Sequence, residues 1–278
     1  MRRTAPAPPA VPALLLLVSD LHLGRGTPAA TAAAERDAVA MVRHYRDRLV
    51  EAGALVLLGD VFDQYIEYRH LMPKTAPRLV GALAELADDG VEVVYTRGNR
   101  DPWHLDLFEG LGVRVVDAWQ TRHEGQDLYI AHGDGHAPPR SLAERLAHRS
   151  RPLLRAPFMA RFYRMALPGD AGFALARWSA RTFGTDGAPD PEDTHRLAHA
   201  ARQRLAGTDA DLVAFGHSHA AALDGGPDGT YLNPGYWFAD RTFATVDADG
   251  PALWRWYDGR PQRIRASVTA STADAAIL

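Results

Sequence analysis

The chain has no cysteine among its 278 residues. That excludes a disulfide framework, a thiolate metal site and a cysteine nucleophile, so any metal must be held by His, Asp, Glu or Asn. Lysine is nearly missing as well. Lys74 is the only lysine among 31 basic residues, a bias read as genomic rather than functional. There is no excess of positive charge: the formal net charge is -3. A nucleic-acid backbone is therefore a poor partner, because such binding relies on many basic contacts. The apolar run Val11–Val18 is far too short to cross a bilayer.

What is present is an ordinary globular balance, 46% hydrophobic and 23% charged, over a length that supports a sizeable core. Arg2 and Arg3 precede the apolar run Val11–Val18, which superficially resembles a secretion signal. The stretch between is rich in Pro and Ala, and no small-x-small cleavage site follows. Residues 1–10 are expected to be a flexible lead, and a cytoplasmic location is expected.

The hydrophobic pattern predicts buried strands over 13–18, 54–58 and 91–96, with helices between them. The first helix is predicted from a cap at Thr31 to about Glu51, ended by Gly53. The second covers roughly 77–89 and ends at Gly90. Alternation of this kind predicts parallel strands with helical crossovers. Strands follow at 113–116 and 128–131. Asp190 caps a helix that ends at Gly207. A strand at 212–215 leads to Gly/Asp-rich turns near 224–229, and strands near 230–232, 242–247 and 252–257 finish the core.

Five of these strands end in polar groups: Asp20 and His22, Asp60, Asn99, His132, and His217 with His219. In the last pair the residues are two apart, so on an extended segment they point to one side. Taken singly, each residue is an ordinary cap or surface group. As an ordered set they are expected to converge, because sites in open α/β sheets form at the carboxyl ends of strands. Oxygen and imidazole without sulfur suit Mn, Fe, Zn or similar ions. Seven ligands are too many for one ion and natural for two that share a carboxylate, with Asp60 the natural bridge. Two ions ~3.5–4 Å apart clamp a phosphoryl group and activate a water.

In order, D-x-H (20–22), G-D-x-x-D (59–63), G-N-R-D (98–101), H-G-D (132–134) and G-H-S-H (216–219) resemble the motifs of the calcineurin-like metallophosphoesterases. The resemblance implies an α/β sandwich of two mostly mixed β-sheets flanked by helices, with a dinuclear site. Asp20, His22, Asp60 and His219 would hold one metal, and Asp60, Asn99, His132 and His217 the other. Asp63, Asp101 and Asp134 would support them by orienting histidines or loop backbone. Where the broad superfamily has His after Gly-Asn, this chain has Arg100. Its fixed fork suits phosphate rather than proton transfer, so Arg100 is assigned to charge stabilisation beside Asn99.

Arginine at that place is similar to the UDP-2,3-diacylglucosamine pyrophosphatases of lipid A synthesis. So are GDVFDQYIEYRHLMPK (59–74), RFYRMALPGDAGFALARWSARTF (161–183) and YLNPGYWFADRTFATVD (231–247), although Pro234 and Tyr236 depart from the pattern. This likeness implies cleavage of UDP-2,3-diacylglucosamine to UMP and 2,3-diacylglucosamine 1-phosphate, with two divalent ions, Mn2+ for preference. The chain is read as a domain over 11–265 that carries a helical cap insertion at 138–188, with flexible tails at 1–10 and 266–278.

Residues 140–181 hold nine arginines against two acids, while the rest of the chain holds 22 basic and 32 acidic residues. Leu154, Phe158, Phe162 and Met165 have amphipathic helical spacing. Pro157 is expected in the first turn of that helix and Pro168 at its end. Asp170 is expected to cap a second helix ending at Gly184. Cationic amphipathic helices read as membrane-surface elements. The cap is thus expected to meet the cytoplasmic face of the inner membrane and to receive acyl chains, with Arg164, Arg177 and Trp178 as substrate contacts. No obligate protein partner is inferred. Two alternatives remain: a phosphoesterase for another nucleotide or phosphoester, and an inactive membrane-binding scaffold. Retention of all seven ligands disfavours the second.

Overall fold

In a computed structural model, which describes residues 13–71, 74–183 and 187–266, the first apolar run forms strand β1 (Leu14–Val18), buried throughout. Helix α1 (Pro28–Ala52), β2 (Gly53–Leu57), α2 (Pro77–Asp88), β3 (Glu92–Thr96), the short helix α3 (Leu107–Gly110) and β4 (Val113–Val116) follow. A hairpin of β5 (Ala118–His123) and β6 (Gln126–Ala131) leads into three helices, α4 (Leu142–Arg155), α5 (Pro157–Ala166) and α6 (Gly169–Phe183). Then come α7 (Pro191–Gly207), β7 (Leu212–Phe215), β8 (Ala222–Gly226), β9 (Gly229–Asn233), α8 (Trp237–Asp240), β10 (Thr242–Asp247), β11 (Gly250–Tyr257) and β12 (Arg260–Ile264).

The strands form two mixed sheets. One has seven strands in the order β12-β11-β10-β1-β2-β3-β4, the other five in the order β5-β6-β7-β9-β8. The continuous apolar runs are explained by burial on both faces. In β1, Leu14, Leu16 and Val18 pack with α1 and α2, while Leu15 and Leu17 pack against Ile130 and Leu232 of the other sheet. The outer face of the smaller sheet is covered by Leu197, Ala201 and Leu205 of α7. The order of layers is thus helix, sheet, sheet, helix.

Several boundaries differ from the sequence reading, each for a local reason. Helix α1 starts at Pro28, capped by the Thr27 hydroxyl, which accepts from Ala30 N at 3.2 Å. Proline in the first helical turn is favoured because its missing N–H would be unpaired there anyway. The Thr31 hydroxyl instead accepts from Gly24 N and donates to Arg25 O. Strands β5, β8 and β12 escape the pattern because they are short, polar and lie at or next to sheet edges; in β5 only Trp119 is buried. The basic stretch holds three helices, not two. The chain breaks at the extended Ala156, so Leu154 belongs to α4 and Phe158 to α5. Asp170 lies inside the first turn of α6 rather than capping it, and Gly184 is outside the described residues.

Candidate metal centre

Parallel pairing of β1, β2 and β3, and of β6 and β7, brings the carboxyl ends of five strands to one place. The loops there are held in an uncommon backbone conformation. Asp20, His22, Asp60, His217 and His219 all have positive φ, between 40° and 67°. Non-glycine residues rarely adopt it, and such strain collects at functional sites. The motif glycines permit the approach. A Cβ on Gly59 would lie 2.7 Å from the His132 ring, and one on Gly98 would overlap Asp60 Oδ1.

The convergence is close. His22 Nε2 lies 3.0 Å from His219 Nε2, 3.6 Å from Asp20 Oδ1 and 3.8 Å from Asp60 Oδ2. His219 Nε2 lies 3.4 Å from Asp20 Oδ1. On the other side, His132 Nε2 lies 3.6 Å from Asp60 Oδ1 and 3.2 Å from Asn99 Oδ1. The His132 and His217 rings meet edge to face, 5.1 Å between centroids. Asp60 therefore stands between the two groups. Asp20 Oδ1 is buried yet accepts no hydrogen bond, an expensive state for a carboxylate unless a cation is its partner.

Other groups aim the ligands. His132 Nδ1 is 2.7 Å from Leu58 O and His219 Nδ1 is 2.6 Å from Gly187 O, so both rings turn Nε2 toward the carboxylates. The His219 ring stacks on Tyr236 with 4.2 Å between centroids. Asp20 Oδ2 accepts from Ser19 Oγ and from His217 N, and so ties the first loop to the last. Asn233 donates to Gly216 O and accepts from Gly235 N, pinning the turn before His217. Ser19, Tyr236 and Asn233 had no role in the sequence reading. A serine directly before Asp20 and an asparagine two residues before Gly235 were the available signal.

Asp101 accepts from Val61 N at 2.7 Å, Gly98 N at 2.9 Å and Asp60 N at 3.1 Å, locking the second and third loops together. Asp63 Oδ1 sits 3.6 Å from His22 Nδ1 and 2.8 Å from Arg25 Nε. Asp134 is engaged by Arg155 at 2.8 Å and Arg151 at 3.1 Å, both from α4. The Arg100 amide donates to Asp60 Oδ1 at 2.8 Å. Of the outer residues, Arg164 donates to Glu67 O at 3.3 Å and Trp178 is exposed. The side chain of Arg177 lies outside the described residues.

The electrostatics follow the crowding of acids. Burial opposes a charge on His132, but Asp60, Asp20 and Asp134 outweigh it and hold the imidazole up at about 9. Burial likewise opposes the Asp63 carboxylate, and His22 with Arg25 prevails, holding it at about 2. Asp20 is held well below the usual carboxylate range by His219 and His22 despite its burial. Acids that stay ionised inside a protein, facing imidazoles, form a ready site for a divalent cation.

Fold and site together describe a phosphoesterase of the metal-binding α/β type. The family model described as Calcineurin-like phosphoesterase matches residues 13–221, and the chain belongs to that family. Among its relatives is a protein of Stenotrophomonas maltophilia (strain K279a) named UDP-2,3-diacylglucosamine hydrolase, 28% identical over 86% of this chain and 96% of that one. A protein of the same name from Porphyromonas gingivalis is 36% identical over 43% of this chain, and one from Ralstonia nicotianae is 34% identical over 43%. The chain spans 45% and 43% of those two relatives. The family and the Asp/His clusters point to divalent metal binding.

Proposed function

We propose that the protein hydrolyses the diphosphate of UDP-2,3-diacylglucosamine, giving UMP and 2,3-diacylglucosamine 1-phosphate. The observation that supports this is the clustering of Asp20 with His22 and His219, and of Asp20 with Asp60 and His132, beside a buried Asp20 oxygen that lacks a hydrogen bond. The name shared by the relatives supplies the substrate. Asp20, His22, Asp60 and His219 would hold one divalent ion. Asp60, Asn99, His132 and His217 would hold a second, with Mn2+ the preferred metal. When bound, such ions stabilise phosphoryl charge and acidify a water.

The protein's own groups do the rest. Leu58 O and Gly187 O keep His132 and His219 oriented with Nε2 inward. Asp101 holds the Asp60 and Gly98 loops in register. Arg100 presents its guanidinium to the charge that builds on the phosphate. Water adds to the uridine-side phosphorus, and the bridging oxygen leaves with the lipid phosphate.

The lipid half is received by the cap, α4 to α6. Among the exposed apolar side chains there are Leu142, Leu146, Phe158, Phe162 and Met165, the last 77% exposed. With the nine arginines of 140–181, they suit anionic headgroups and acyl chains at the cytoplasmic face of the inner membrane. Among the described residues no helix is long and apolar enough to cross a membrane. The test is a product assay: protein, Mn2+ and UDP-2,3-diacylglucosamine, read by mass spectrometry. UMP with the lipid 1-phosphate is expected. Hydrolysis of a generic phosphodiester without turnover of the lipid would remove the substrate assignment.

A further inference from the structure

A cavity of about 390 Å³ adjoins the metal centre at Asp63. That volume falls in the usual range for small-molecule sites. Asp63 is common to both places: it lines the cavity, and its Oδ1 is 3.6 Å from His22 Nδ1. Leu23 and Gly24, which follow His22 directly, line it as well. A group attached to a phosphorus held at the centre is therefore within reach of this space.

The cavity is a cleft, open to solvent, between the core and helix α6. Tyr68 OH donates to Leu167 O at 3.3 Å. A Cβ on Gly172 would overlap Tyr68 OH, and one on Gly169 would come within 3.0 Å of Leu71 Cδ1. Two glycines on α6 thus allow the core loop to press against the helix. The wall formed in this way sets Gln64, Lys74, Thr75 and Asp170 among the apolar side chains of Leu23, Leu71 and Phe173.

That lining selects between the two halves of a lipid-linked nucleotide. An acyl chain placed here would desolvate Lys74 and Asp170 without offering them partners, which is costly. It has another surface available at Phe158, Phe162 and Met165. A nucleobase presents donors and acceptors on its edge to an amide and a hydroxyl, and a flat face to an aromatic ring. Its phosphate suits an ammonium. Lys74, exposed and the only lysine of the chain, is the cation at this wall.

We infer that this cavity is the nucleotide subsite, taking the uridine monophosphate half of the substrate between Gln64, Lys74, Thr75 and Phe173. The inference rests on the proposed function for the choice of nucleotide. Because the chain has one lysine, an amine-acylating reagent reports on the cavity directly. The full-length protein is acetylated with and without UMP, and Lys74 is followed by peptide mass spectrometry. UMP is expected to slow its modification at least fivefold, while 2,3-diacylglucosamine 1-phosphate and inorganic phosphate leave it unchanged. Gln64→Ala, checked for folding by circular dichroism, is expected to raise the inhibition constant for UMP about tenfold and leave that for the lipid product unchanged.

Protection by the lipid product and not by UMP would overturn the inference, as would protection by neither or equal protection by inorganic phosphate. Labelling needs no turnover, so the two claims fail separately. Hydrolysis of the lipid-linked nucleotide without UMP protection would sink the subsite and leave the proposed function standing. Protection by UMP without such hydrolysis would uphold the subsite and remove the substrate.

Discussion

Arg155 of α4 reaches into the metal centre and clasps Asp134, Nη2 to Oδ2, at 2.8 Å. The same nitrogen donates to Gly98 O at 3.1 Å. One guanidinium from the basic helices thus ties two ligand-bearing loops together. Asp134 is almost fully buried, and its carboxyl is held down by His132, Arg155 and Arg151 against the cost of burial. Arg155→Ala is expected to destabilise the protein by about 1–3 kcal/mol, because the buried carboxylate loses one of its two arginine partners among the described residues. Removing both arginines should cost more than the sum of the single losses, since each compensates for the other. Denaturant unfolding of the two single variants and the double one measures this; strict additivity would count against the shared clasp.

Gly98 stands where no side chain fits, since a Cβ there would overlap Asp60 Oδ1. Gly98→Ala should displace the Asp60 carboxylate and lower both Mn2+ uptake and hydrolysis at least a hundredfold. Gly81, on α2 with open space around it, is the control. Gly81→Ala should leave metal content unchanged and add up to about 1 kcal/mol of stability through helix propensity. Metal analysis after gel filtration separates the two outcomes.

His104 is packed among Tyr65, Tyr95 and Phe108, at 4.7–5.4 Å between ring centroids. Burial first, and Arg97 second, push its pKa down to about 3. A lowered imidazole pKa means that the folded state resists the proton that the unfolded chain accepts near 6.5. Its stabilising contribution is therefore complete above about pH 6.5 and is lost as the pH falls toward 3, by up to about 1.4 kcal/mol per pH unit. His104→Phe should flatten that part of the profile relative to the parent. Unfolding curves at pH 7, 5.5 and 4.5 give the comparison, and parallel profiles would refute it.

The apolar side chains Phe158, Phe162 and Met165 lie on α5 and are exposed. Changing all three to serine should abolish sedimentation with anionic vesicles and lower lipid-substrate hydrolysis at least tenfold. Hydrolysis of a water-soluble chromogenic phosphodiester should stay within twofold. Equal loss on both substrates would mean that these residues serve the core rather than the lipid.

The core was legible in the sequence because its strands are buried on both faces and bounded by glycine. The candidate site could be proposed from the sequence because Asp20, Asp60, Asn99, His132 and His217 each follow such a strand. What escaped had no such mark. Edge strands β5 and β8 expose polar residues, so their periodicity is faint. Thr27 and Thr31 both precede helical residues, and only the fold of the Gly24–Arg25 turn decides which one caps. The clasp of Asp134 by Arg155 joins residues 21 apart across two elements, and a carboxylate in H-G-D gives no hint of which arginine it meets. Carbonyl partners such as Leu58 O belong to every residue alike and are invisible in a sequence.

The central claim is hydrolysis of a diphosphate at the uridine-side phosphorus by the Asp20–Asp60–His132 centre. The most direct measurement runs the Mn2+-loaded protein on UDP-2,3-diacylglucosamine in ¹⁸O-enriched water and weighs both products. The account predicts one ¹⁸O in UMP, none in the lipid 1-phosphate, and no products from Asp60→Ala. Label in the lipid phosphate, or unchanged turnover by Asp60→Ala, would contradict it.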